Sequence, residues 1–253
     1  MPMEPIIEMR NVRKSFGREH VLRDLSLAIA KDSVSVIIGR SGGGKSVLLK
    51  HIIGLMQPDQ GQVIIDGQDI ARMSERQMAP VRRKFGMLFQ ESALFDSMNV
   101  EENVAFPLLE HTRKSRSEVM DIVAQKLTAV GLKEMGHKMS SELSGGMRKR
   151  VGLARALALE PKIVLFDEPT SGLDPVMAAT INELIVRTQA EFHATCVVIS
   201  HDIPAAMSTG HELFMLFEGR IIAQGTPDQI RQWDDPVVQQ FIHGRAEGPI
   251  SIV

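Results

Sequence analysis

SVSVIIGRSGGGKS, residues 33–46, joins an apolar β-type run to a glycine-rich turn and then to residues at helical spacing. Within it, Gly39-Arg40-Ser41-Gly42-Gly43-Gly44-Lys45-Ser46 has the pattern G-x-x-x-x-G-K-[ST], in the strand–turn–helix setting the motif requires. The glycines let the backbone curl with its amides pointing inward. The helix N-terminus adds the positive end of its dipole, so the loop is a cradle for phosphates. Lys45 is expected to contact the β- and γ-phosphates of a nucleotide, and Ser46 to ligate Mg²⁺.

Working outward, IIEMRNV, LSLAIA and GQVIIDGQDI read as β segments with charged turns, the last ending in an Asp-Gly turn. KSVLLKHIIGLM, residues 45–56, has helical spacing, and FGMLFQ, residues 85–90, is a short buried strand. From about residue 91 to 145 the texture becomes helical with charged faces. After a helix at 147–159 come two unalternating apolar strands, KIVLFDEP and TCVVIS, separated by a helix at 176–192. Such runs fit a parallel sheet buried on both faces. ELFMLFEGRIIAQG reads as a hairpin turning at Glu218-Gly219, followed by short helices. The class is therefore α/β with a parallel-sheet core, an N-terminal antiparallel β subdomain and an inserted helical subdomain. The chain reads as one domain over 1–253: residues 1–90 and 146–253 form the core, and residues 91–145 form the insertion.

Composition narrows the function classes. The 253 residues are 43% hydrophobic and 24% charged, an ordinary globular balance, and the formal net charge of -2 offers no field for nucleic acid. The single cysteine, Cys196, excludes an internal disulfide and reads as a buried, inert thiol. No apolar run approaches the roughly 18 residues needed to span a bilayer. The N-terminus MPMEPIIEMR lacks the features of a secretory signal.

A second acidic constellation lies in KIVLFDEPTSGLD. Asp167, at the end of an apolar strand, is placed to hold Mg²⁺ through water, and Glu168 to orient and polarise an attacking water. ELSGGMRKR, residues 142–150, puts Ser-Gly-Gly before a helix; Ser144 caps that helix, and Gly145 and Gly146 let bare amides approach an anion. The basic run Arg148, Lys149 and Arg150 reads as a solvated helix face rather than a ligand cluster.

The order GRSGGGKS, Gln90, LSGGM, LFDEP, SGLD, His201 resembles the ATP-binding cassette (ABC) ATPases over essentially the whole chain. The resemblance implies a P-loop NTPase fold and an ATPase using ATP and Mg²⁺. It also implies a homodimer of head-to-tail subunits, in which Ser144, Gly145 and Gly146 bind the γ-phosphate of ATP held by the other copy. On the same basis Gln90 touches Mg²⁺ or water and links the site to the insertion, His201 contacts the γ-phosphate, and Asp174 lies at the dimer seam. Phe16 in KSFG stands where the family usually has a tyrosine stacked on adenine; a phenylalanine keeps the stacking face. Met147 departs from the family's common glutamine.

FQESALFDSMNVEENVAFPLLEH, the tail FIHGRAEGPI and LSGGM rather than LSGGQ resemble the ATPases of Mla-type phospholipid transporters, related to the Mkl and plant TGD lipid systems. That resemblance implies an MlaE-like permease, an MCE-domain lipid-binding protein and, in some systems, a STAS-domain subunit. The chain would then sit at the cytoplasmic face of the inner membrane, held by the permease. Two alternatives remain: an importer ATPase for another small solute such as an amino acid, and a soluble ABC ATPase with no permease. Some relatives continue with a longer tail that reaches the other ATPase; this sequence ends at Val253, which leaves that contact open.

Overall fold

A computed structural model describes residues 5–250. The readings of the extreme N-terminus (residues 1–4) and of the last three residues lie outside them. In chain order the elements begin with β1 (Pro5–Phe16), β2 (Glu19–Ala30), β3 (Val34–Ile38), α1 (Lys45–Ile52), β4 (Gln60–Ile65), β5 (Gln68–Asp69) and α2 (Glu75–Arg82). There follow β6 (Phe85–Leu88), α3 (Val100–His111), α4 (Arg116–Ala129), a 3-10 turn (Ser140–Glu142), α5 (Gly145–Leu157), β7 (Ile163–Asp167) and α6 (Pro175–Phe192). The chain continues through β8 (Thr195–Ser200), α7 (Ile203–Thr209), β9 (Glu212–Phe217), β10 (Arg220–Gly225), α8 (Pro227–Arg231) and α9 (Pro236–Ile242). The chain divides into two compact units: residues up to 82 together with those from 197 onward, and Arg83–Cys196.

In the first unit an antiparallel sheet has the order β2-β1-β4-β5. Leu22, Leu25, Leu27 and Ile29 of β2 are buried while the residues between them are exposed, as an antiparallel sheet with one wet face demands. Cross-strand pairs Ile7–Ile29 and Met9–Leu27 join that face to β1. The hairpin is longer than the two short segments expected, because polar residues on its open face hide the alternation near its turn. All five residues of β3 are buried, and β3 pairs in parallel with β9, Ile38 opposite Met215. β10 pairs with β9 through the expected turn at Glu218-Gly219, both in the left-handed region. Helix α1 ends at Ile52, short of the expected residue 56, with Gly54 at positive φ just beyond. Helix α2 carries a proline and a low apolar content and was not legible as a helix. The tail folds back on α9: buried Gln240 accepts from the Ile250 N–H at 2.6 Å and donates to the Ile250 carbonyl at 3.2 Å.

In the second unit β6 and β7 pair in parallel, Phe85 opposite Ile163 through Leu88 opposite Phe166. α5 packs on β6 so closely that a Cβ on Gly86 would stand 2.3 Å from the Ala156 carbonyl oxygen. α3 and α4 each begin with a capping box, Asn99 with Glu102 and Ser115 with Glu118, which satisfies their first free amides. Among the described residues no helix is long and apolar enough to cross a membrane.

Candidate functional site

The phosphate loop belongs to the first unit. Gly39 leaves β3 beside β9, and a Cβ there would lie 2.4 Å from the Leu216 carbonyl oxygen, so only glycine lets the loop start at this point. Gly42 adopts φ +76 at the tip, and the Gly43 N–H donates to the Arg40 carbonyl at 3.1 Å, closing the turn. α1 begins directly after Gly44, with Ser46 exposed in its first turn. Lys45 is buried, and its Nζ donates to the carbonyls of Gly39 at 2.8 Å and Arg40 at 3.0 Å, inside the curl of the loop. A cavity of about 360 Å³ opens beside Arg40, Ser41, Gly42 and Gly43, walled on its other side by His20, Val21 and the 216–219 turn. That is within the size range of nucleotide and drug-sized ligand pockets. Phe16 ends β1 with its ring 47% exposed and the Lys14 ammonium 5.7 Å from its centroid. His201, in the same unit, is exposed immediately after β8, where Asp202 caps α7 by accepting from the Ala205 N–H.

The acids belong to the second unit. Ile163 to Phe166 of β7 are fully buried, while Asp167 and Glu168 emerge half-buried at its end. Glu168 has φ +46, a left-handed backbone in a non-glycine residue. Its carbonyl accepts from the Ser171 N–H at 3.1 Å and from Lys149 Nζ at 3.3 Å. The Gln90 side-chain amide donates to Ser171 Oγ at 3.4 Å, which brings the loop after β6 to the segment that follows the acids. Ser144 caps α5 by accepting from the Met147 N–H. Gly146 packs under α6, where a Cβ would meet the Met177 methyl at 2.0 Å, and Leu173 lies against Gly145. Asp174 is exposed and caps α6 by accepting from Val176 and Met177. Val176 beside it is 75% exposed.

One expectation is corrected. Arg148 is exposed, but Lys149 is only 5% exposed, so the basic run is not uniformly a solvated face. Burial pulls the Lys149 ammonium below the usual lysine range, opposed by the charges of Glu91, Glu168 and Asp167. Its burial was readable in principle: Gly146, Lys149, Leu153 and Leu157 fall on the inward stripe of α5. Two further residues gave no motif signal. Arg155 donates to the carbonyls of Ser92 and Ala93, both at 2.7 Å, and buried Asn103 binds the backbone of Phe95, Met98 and Asn99. Together they strap down the loop that follows Gln90. Phe89, Phe95 and Leu109 are exposed nearby in sequence.

Comparison with known proteins bears on this arrangement. The ABC transporter family profile matches residues 22–171. The chain belongs to the ABC transporter family. As an ABC cassette it is 46% identical over 252 residues to the probable ribonucleotide transport ATP-binding protein mkl of Mycobacterium leprae, covering 100% of this chain and 73% of that one. It is 40% identical over 245 residues to the intermembrane phospholipid transport system ATP-binding protein MlaF of Escherichia coli K12, covering 97% and 91%. Among solved structures, the dimeric post-hydrolysis state of the ATP-binding cassette MJ0796 bound to ADP and Pi superposes with a TM-score of 0.80 at 31% identity, covering 87% of this chain and 98% of that one. The α/β P-loop ABC fold and the ATPase class follow.

Proposed function

We propose that this cassette is the ATP-hydrolysing subunit of a phospholipid transporter. The observation that carries the reading is 40% identity, across nearly the whole chain, to a relative named for intermembrane phospholipid transport. On this reading two copies associate head to tail. Gly39 to Ser46 of one copy and Ser144, Gly145 and Gly146 of the other enclose each ATP, with Phe16 against the adenine and Asp174 at the seam. Residues 91–145 form the helical insertion that meets an MlaE-like permease, and an MCE-domain lipid-binding protein completes the system, with a STAS-domain subunit in some assemblies. The subunit works from the cytoplasmic face of the inner membrane, moving lipid to or from a periplasmic carrier. ATP favours the closed dimer, closure moves the insertions, and hydrolysis resets them.

In the chemical step Glu168 orients and polarises the attacking water, and His201 and Gln90 contact the γ-phosphate and the water. Ser46, Gln90 and Asp167 are the residues that would hold Mg²⁺. A hydroxyl, an amide oxygen and a carboxylate are hard oxygen donors, few in number, as suits a small cation whose remaining ligands are phosphates and waters. When bound, the ion supplies positive charge against the phosphate oxygens. Glu168→Gln should slow hydrolysis by roughly 10²–10⁴ while ATP still binds.

A second reading has its own support: the mycobacterial relative, at 46% identity, is named for ribonucleotide transport. Affinity purification of the chain from detergent-solubilised native membranes, with mass spectrometry of proteins and lipids, separates the two. An MlaE-like permease with an MCE protein and bound phospholipid is the expected result. A different permease, with no lipid above background, overturns the lipid reading in favour of a ribonucleotide or another small solute. Recovery of no membrane protein points to a soluble ATPase.

A further inference from the structure

Glu168 adopts a backbone that its neighbours in sequence disfavour. A left-handed conformation costs a non-glycine residue roughly 1–2 kcal/mol, and the following Pro169 biases its predecessor toward extended structure. Such strain persists only where surrounding contacts over-determine it, and it gathers at working sites. Two restraints meet at the Glu168 carbonyl oxygen. One donor is local, the Ser171 N–H at 3.1 Å. The other comes from nineteen residues earlier in the chain, the ammonium of Lys149 at 3.3 Å.

Lysine is among the residues least often buried, and Lys149 is 5% exposed, deep on the inward stripe of α5. A solubilising role does not explain a charge placed there. The ammonium lies within the electrostatic reach of Glu91, Asp167 and Glu168, so it also offsets the mutual repulsion of two adjacent carboxylates at the end of β7. α5 is the helix that Ser144 caps. Lys149 therefore ties the helix behind the Ser-Gly-Gly turn to the peptide that carries the water-orienting carboxylate, within one unit of one chain.

We propose that Lys149 is a positioning residue for hydrolysis: its buried ammonium holds the Glu168 carbonyl, and with it the left-handed turn that directs the Glu168 side chain. The inference rests on the reading of Glu168 as the group that orients the attacking water. Lys149 itself touches neither nucleotide nor water in this scheme, so its loss acts on turnover and leaves ATP binding in place.

The test is a double-mutant cycle on the full chain, with Mg²⁺ and ATP. Lys149→Met should lower kcat by about 10-fold, the loss of one charge-assisted hydrogen bond, with KM for ATP changed by less than about 2-fold. Lys149→Arg, which keeps the charge and a donor, should recover kcat to within about 3-fold of the parent. In a Glu168→Gln background Lys149→Met should cost less than about 2-fold more, because groups acting as a unit are not additive. If Lys149→Met does not fold, Lys149→Gln replaces it in every arm. Parental kcat in the Lys149 variant, a fall that Lys149→Arg does not recover, a KM that rises in step with the fall, or an undiminished 10-fold loss in the Glu168→Gln background each overturns the inference alone. Full hydrolysis by Glu168→Gln overturns the reading of Glu168 and this inference with it.

Discussion

Replacing Gly39 by alanine tests whether the start of the phosphate loop is set by packing rather than by backbone freedom. The added Cβ would stand 2.4 Å from the Leu216 carbonyl oxygen, with the Leu216 carbonyl carbon at 3.4 Å. Carbon and carbonyl oxygen in sheets meet at roughly 3.3 Å, so the overlap is about 0.9 Å. Gly39 directly follows β3, the atom it would strike is backbone of β9, which pairs in parallel with β3, and no flexible side-chain end is there to swing away. Relief requires the loop to shift. Overpacking with backbone movement costs about 1–3 kcal/mol, which in a chain of this size lowers Tm by roughly 2–12 °C. The same shift displaces the Gly39 and Arg40 carbonyls that anchor Lys45. A misplacement near 1 Å is worth on the order of 10²-fold in a positioned reaction, so hydrolysis should fall by about that factor. Differential scanning fluorimetry and a steady-state phosphate-release assay with Mg²⁺ and ATP read the two effects. Gly42 is the control: it has φ +76 and nothing within 4 Å of an added Cβ, so its cost is conformational. Gly42→Asn should therefore be milder than Gly42→Ala, whereas no side chain is mild at position 39. A Gly39→Ala protein with parental Tm and a parental hydrolysis rate refutes the packing argument.

Other outcomes follow from single groups. Lys45→Ala should weaken ATP binding by roughly 10- to 150-fold, the loss of charge-assisted bonds of about 1.5–3 kcal/mol, measured by calorimetry. Burial pushes the Cys196 thiol up to about 12, so it should stay unreactive toward Ellman's reagent at pH 8 until the chain is unfolded. Because that folded value is raised above the ordinary 9.0, the associated stability is complete below pH 9 and is lost as the pH climbs toward 12, visible as a falling Tm. Burial lowers the His51 imidazole below its ordinary 6.5, against a bond to the Val47 carbonyl that raises it. Its neutral form is the one the fold favours, so stability should be full above pH 6.5 and decline on acidification through that value. His51→Gln should flatten that part of the Tm–pH curve.

The sequence by itself determined the class of fold, the position of the phosphate loop, the acids and the Ser-Gly-Gly cap, whereas Gln90 and the histidine after β8 stood out only through the family resemblance. These signals are local: a strand, a turn and a helix N-terminus follow one another within a dozen residues, and chemistry at their junctions needs particular side chains at fixed spacing. Strands such as β3 and β7 were equally plain, because every residue of β3 is apolar or small and β7 is apolar up to its terminal Asp167. The length of the β1–β2 hairpin and helix α2 were hidden, since cross-strand pairing and tertiary packing outweighed weak local patterns. Tertiary structure alone decided three other things. It gave the Lys149 ammonium the Glu168 carbonyl as partner, made Gly39 obligatory through Leu216, and set Arg155 and Asn103 to strap the loop after Gln90. Each depends on atoms far apart in the chain, where the cost of burying a charge or crowding a backbone is set by what the fold brings alongside.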